Sequence, residues 1–183
     1  MADMNAGTPA YTRANTGSTA AGILLGGALA GVLGGIIMGI VATLWGVATV
    51  AGPLAPWQAI AGTFFGPMSF VGDAGVTAIG VLTHLSIAGF WGVVFAAITV
   101  KARSAGRLFG LGILYGIAVW ALMTYVIAPV FDATMAARIP MMFIFWFFLH
   151  WVYGAFTGLF TPTLRRAFGG SAYYARRMRQ SPV

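Results

Sequence analysis

Four long apolar runs decide what this chain can become. They cover roughly residues 19–50, 76–100, 108–128 and 141–164, and no charged residue interrupts any of them. A helix needs about 20 mostly apolar residues to cross the hydrocarbon core of a bilayer, and each run reaches that length. A closed β-barrel is the only other spanning solution, and its strands would alternate with a period of two. These runs are continuous, so helices are expected. Charged residues make up 7% of the 183-residue chain, against about 25% in a soluble domain. A chain this small exposes too much surface to absorb that deficit in a core. It must meet lipid.

Basic residues set the direction. Lys101, Arg103 and Arg107 fill the link between the second and third runs, and Arg165, Arg166, Arg176, Arg177 and Arg179 follow the fourth. Arg13 precedes the first run, and only Arg138 falls on the other side, with Asp73 and Asp132. The positive-inside rule then places both termini in the cytoplasm. Lys101, Arg103, Arg107, Arg165 and Arg166 read as anchors to anionic lipid head groups, and this segregation accounts for the net charge of +7 without nucleic acid. Residues 1–17 read as a polar, disordered tail, since Arg13 is its only basic residue and the next apolar run is too long for a secretory signal. Residues 18–168 form the membrane domain, and 169–183 a basic cytoplasmic tail. The alanine, glycine and arginine usage points to a bacterial inner membrane.

The expected fold is all-α: an up-down bundle of four transmembrane helices with short links after the second and third. The outer link, residues 52–75, stays apolar and aromatic but holds Pro53, Pro56 and Pro67. It reads as a short interfacial helix plus turns that caps the bundle. In the first helix Gly27, Gly31, Gly35 and Gly39 repeat every fourth residue, with Gly22 and Gly26 beside them. Glycines let backbones approach closely in lipid, so the stripe reads as a packing seam, toward the chain's own helices or a second copy. Gly112 and Gly116 supply a similar face on the third helix.

The only two histidines open matching phrases, HLSIAGFWGVVF at His84 and HWVYGAFTGLF at His150. Both helices run from outside to inside, so the imidazoles are expected nearly level in the outer half of the membrane. One reading is a b-type haem with His84 and His150 as axial ligands. On that reading Gly92, Gly154 and Gly158, with Ala88, leave room for the macrocycle, and Phe90, Trp91, Trp151 and Tyr153 line the pocket. Arg138 would neutralise a propionate. The other reading is structural: each imidazole bonds a nearby hydroxyl or carbonyl, such as Thr83, Ser86 or Thr124. A zinc or di-iron centre lacks ligands, because the chain has no cysteine or glutamate and both aspartates beyond residue 17 sit in outer links. No phosphate loop, nucleophile elbow or HExxH helix occurs, so no catalytic constellation emerges.

Helices two to four resemble the YagU-like family of small bacterial inner-membrane proteins. The resemblance rests on His84 followed by Gly89 and Gly92, then GLGILYGIAVWALMTYVIAP, then LHWVYGAFTGLF. It implies a multi-pass membrane protein and no settled activity. The reading as a whole is a non-catalytic subunit or accessory protein of a larger membrane complex, with respiratory and electron-transfer complexes among the candidates. Its partners would be the lipid bilayer and other membrane proteins or a second copy, and the alternative is a haem-binding cytochrome.

Overall fold

A computed structural model describes residues 20–102 and 104–180, with side chains through residue 169. The expected tail of residues 1–17 and the anchor Arg103 lie outside the described residues. The described residues form helices and turns without a strand. Four helical stretches are long and apolar enough to cross a membrane: Gly22–Ala48, Ala74–Ile98, Ala105–Phe131 and Ile139–Gly169. The first three are α1, α3 and α4. Between α1 and α3 lies α2 (Ala55–Phe65), and after α4 come α5 (Ala133–Ala136) and α6 (Phe143–Gln180), the last entered through a 3-10 turn at Ile139–Met142.

Local chemistry sets the boundaries. Asp73 caps α3 by accepting from the amides of Gly75 (2.9 Å) and Val76 (3.1 Å). Ser104 caps α4 through the amide of Arg107. The third helix passes Pro129 and ends at Phe131, three residues beyond the run read from hydropathy. Proline lacks an amide proton and crowds the carbonyl four residues back. A π-turn at Met123–Ile127 widens the helix just ahead of it and takes up that mismatch. The fourth helix runs past residue 164 without a break to Gln180, so the stretch from 169 continues the same helix.

The outer link is a helix followed by a 3-10 turn (Gly66–Val71), joined by Gly66 at φ 56°. Gly52, at φ 84°, makes the other turn, where left-handed backbone suits glycine. Pro56 sits in the first turn of α2, where its missing amide costs nothing.

Helix contacts follow the small residues. Gly27, Gly31 and Gly35 face α3, while Gly22, Gly26 and Gly34 face α6. A Cβ on Gly31 would lie 2.7 Å from the Cα of Gly92 and would overlap the carbonyl of Ala88. The second hairpin repeats this pattern: a Cβ on Gly154 would lie 2.7 Å from the Cα of Gly116 and overlap the carbonyl of Gly112. In each pair only glycine permits the backbone approach. Gly39, the last of the stripe, meets the Trp57 indole of α2 instead of a helix backbone. Around the bundle, α3 packs on α1, α1 on α6 and α6 on α4, whereas α3 and α4 scarcely approach. That fourth side is filled by side chains. Phe95 stacks obliquely on Tyr115 (5.1 Å), whose hydroxyl donates to the carbonyl of Trp91 (2.8 Å).

Arg165 is not at a lipid surface. It is 6% exposed and donates to the carbonyls of Ala96 (3.4 Å), Thr99 (3.0 Å) and Ala102 (2.6 Å). The carbonyls of Ala96 and Thr99 end α3, where the helix dipole favours a cation, and that of Ala102 belongs to the link beyond it. Lys101, Arg107 and Arg166 are exposed.

Candidate ligand chamber

The glycine contacts hold the helices together at one end of the bundle and let them part at the other. Gly22, Gly26, Gly27 and Gly31 on α1 meet the far ends of α3 and α6, and Gly112 and Gly116 on α4 meet Gly154 and Gly158. Beyond the seam the facing residues are large: Met38 and Trp45 on α1, Met123 on α4, Trp146 and Leu149 on α6, with Trp91 of α3 at the seam's edge. Side chains of that size keep backbones apart. The result is a cavity of about 290 Å³ between the helices, roofed by α2 and by residues 132–142. Its wall is almost wholly apolar, with four of the chain's six tryptophans (Trp45, Trp57, Trp91 and Trp146) in it. Five methionines (Met38, Met123, Met135, Met141 and Met142) also face it.

Both histidines line this chamber. His84 Nε2 lies 2.9 Å from the carbonyl of Gly35 across the α3–α1 contact. His150 Nδ1 lies 2.9 Å from the carbonyl of Trp146, one turn back on its own helix. Each ring meets a tryptophan edge-on: His84 with Trp57 (5.5 Å, 75°) and His150 with Trp146 (4.5 Å, 70°). Of the hydroxyls expected as partners, Ser86 bonds the Leu82 carbonyl and Thr124 the Trp146 indole, while Thr83 lines the chamber. Carbonyls orient the rings, and only the His84 bond joins two helices.

Several residues assigned to a haem pocket stand elsewhere. The space beside Gly92 is filled by the Gly27 and Gly31 backbone, that beside Gly154 by Gly112 and Gly116, and that beside Gly158 by Leu108 and Gly112. These glycines serve helix contact and leave no clearance for a macrocycle. Phe90 (61% exposed) and Trp151 (43% exposed) face outward, while Trp91 and Tyr153 do line the chamber. Tyr153 also ties α6 to α3 by donating to the carbonyl of Ala88 (2.8 Å). Arg138 is at the chamber wall with its guanidinium 3.7 Å from the centre of the Phe70 ring.

The outer link was expected to cap the bundle, but motif reading did not single out Trp57 or Asp132 in the roof. Trp57 reaches under α2 to meet Gly39, and its indole donates to Thr43 Oγ1 (3.1 Å). Asp132 accepts from the Thr63 hydroxyl and from the amide of Met135, both at 2.8 Å, so it links α2 to the start of α5. The sequence signal for this roof is the tryptophan beside a helix-starting proline in an apolar link. Five of the nine methionines gather at the chamber, where their flexible thioethers suit an adaptable wall. Comparison with protein-family models, with curated proteins and with solved structures returns no match for this chain.

Proposed function

We propose that the chain is a non-catalytic protein of a bacterial inner membrane that binds an apolar small molecule in the outer half of its helix bundle, as an accessory component of a larger membrane assembly. The observation that carries this reading is the chamber itself. An apolar, aromatic-walled cavity with a few convergent polar groups is the usual form of a small-molecule site. Here it collects both histidines of the chain in a wall of tryptophan and methionine. Both ends of the protein lie on the cytoplasmic side in this reading, supported by the basic residues around 101–107 and beyond 165. The motif resemblance to YagU-like proteins supports the same membrane placement.

A direct test extracts the protein in lipid nanodiscs and identifies co-purifying apolar molecules by mass spectrometry. Ala42 lines the chamber and is 7% exposed. Ala42→Trp should fill the space and remove whatever the wild-type protein retains. Identical extracts from wild type, variant and empty nanodiscs would defeat the proposal.

A b-type cytochrome keeps one support, the shared chamber of His84 and His150. Against it stand the bond between His84 Nε2 and Gly35 and the filled space at the three glycines. The visible spectrum separates the two readings: haem would give Soret and α bands that His84→Ala and His150→Ala each abolish.

A further inference from the structure

The carbonyl partners of the two imidazoles fix what the chamber offers a ligand. A carbonyl oxygen only accepts, so His84 Nε2 and His150 Nδ1 carry the protons in their bonds to Gly35 and Trp146. An uncharged imidazole has one ring proton, and an uncharged ring suits a wall this apolar. The remaining nitrogens, Nδ1 of His84 and Nε2 of His150, are therefore lone-pair acceptors. Exchanging either tautomer would turn a lone pair onto a carbonyl. Two of the four indole donors of the wall are engaged, Trp57 with Thr43 and Trp146 with Thr124.

We propose that the chamber selects an apolar alcohol or phenol, whose O–H donates to the free imidazole nitrogens. This rests on the reading of the chamber as an apolar ligand site. An ether or ketone of the same shape would set its oxygen lone pairs against these acceptors and leave them unsatisfied. A single ring with a short alkyl chain suits a cavity of about 290 Å³, and aromatic faces offer it edge-on or offset contacts. Two lone pairs among thioethers would also suit a soft cation such as Cu(I). An ion has no use for a chamber of this volume, so the organic donor is the better match.

The test uses full-length protein in nanodiscs, tryptophan fluorescence, and a matched pair of probes, 4-butylphenol and 4-butylanisole, each corrected for uptake by empty nanodiscs. The phenol should bind saturably and roughly ten-fold more tightly than its methyl ether, the gain from one or two neutral hydrogen bonds. His150→Phe should remove most of that preference, and His150→Gln, whose amide oxygen still accepts, should keep part of it. If His150→Phe is not monodisperse, His84→Phe supplies the same comparison, and the wild-type ratio is decisive without either. Equal saturable affinities for the two probes would overturn the donor selectivity and leave the apolar-ligand reading standing. Absence of saturable binding by either probe would overturn both. Displacement of the phenol by equimolar Cu(I) under anaerobic conditions would assign the nitrogens to a metal and overturn the proposal.

Discussion

His84 on α3 donates to the carbonyl of Gly35 on α1 at 2.9 Å, and the missing side chain of Gly35 is what admits Ala88, one turn further along α3. A Cβ at position 35 would lie 2.6 Å from the Cβ of Ala88 and 3.5 Å from His84 Nε2. The bond thus crosses the same α1–α3 seam that Gly35 and Ala88 close. His84→Ala should destabilise the bundle by about 1 kcal/mol, the scale of interhelical hydrogen bonds in membranes. Gly35→Ala should cost about 1–3 kcal/mol through overpacking. Unfolding of the detergent-solubilised protein by SDS measures both. A Gly35→Ala protein as stable as the wild type would mean that α1 and α3 sit farther apart than described.

Glycines of one composition play opposite roles along the bundle. Gly31 and Gly154 face backbone atoms within 3 Å of a would-be Cβ, whereas nothing lies within 4 Å at Gly110. Gly31→Ala and Gly154→Ala should each lower stability by about 1–3 kcal/mol, because neighbouring backbone cannot swing aside. Gly110→Ala should be neutral or stabilising by about 0.5–1 kcal/mol, since alanine is the better helix former. The same SDS titration ranks the three. Equal effects at all three positions would remove the distinction between seam and surface.

The fold was legible because membrane-scale signals are coarse. Four uninterrupted apolar runs and their glycines outlined the bundle, and the every-fourth spacing of Gly27, Gly31 and Gly35 matches their common contact with α3. The site was less legible. Small residues beside His84 and His150 read equally well as room for a ligand or room for a helix, and only coordinates distinguish the two. Gly92 and Gly158 turned out to face helix backbones. Arg165 was misread for a related reason. Position in the chain marks the membrane end but does not say whether a side chain points to head groups or back to the carbonyls of Thr99 and Ala102. The chamber depends on Trp57 and Asp132, which reach it from links, and no periodicity reports where a link folds.

Arg165 ties the end of α3 to α6 with a planar fork that a lysine cannot copy. Arg165→Met would leave the carbonyls of Ala96, Thr99 and Ala102 without this donor in a buried setting. The expected loss is about 3 kcal/mol, from charged hydrogen bonds of about 1.5–3 kcal/mol each that are partly replaced by water. Arg165→Lys should recover part of it. Arg166→Met, at an exposed position, should change stability by less than about 0.5 kcal/mol. Thermal unfolding of the three variants in one detergent checks the order.

The chain has no cysteine, so a single introduced thiol reports topology without background. Lys101 is exposed in the link after α3, and Met68, 68% exposed, lies in the link after α2. If the basic link is cytoplasmic, a membrane-impermeant maleimide added to intact cells should label Met68→Cys and spare Lys101→Cys until the membrane is opened. Labelling of Lys101→Cys in intact cells would invert the protein and place the chamber in the inner half of the membrane.

Trp45 on α1 stacks on Phe145 of α6 with ring centres 4.6 Å apart and planes 18° from parallel. The same two residues line the chamber and a shallower groove formed with Pro140, Phe143, Ile144 and Phe148. With Met141 and Met142, the stack is the part of the wall shared by chamber and groove, and it is made of side chains, which rotate far more readily than helices separate. An apolar ligand arriving from lipid would meet the groove first. Trp45→Ala should therefore speed both entry and exit of a bound phenol probe by several-fold and shift its equilibrium affinity much less. The loss of one stacked face worth about 0.5–1.5 kcal/mol lowers the barrier without touching His84 or His150. Stopped-flow fluorescence of the remaining tryptophans measures both rates. Unchanged rates with a weakened affinity would instead make Trp45 part of the binding surface and place the entrance elsewhere.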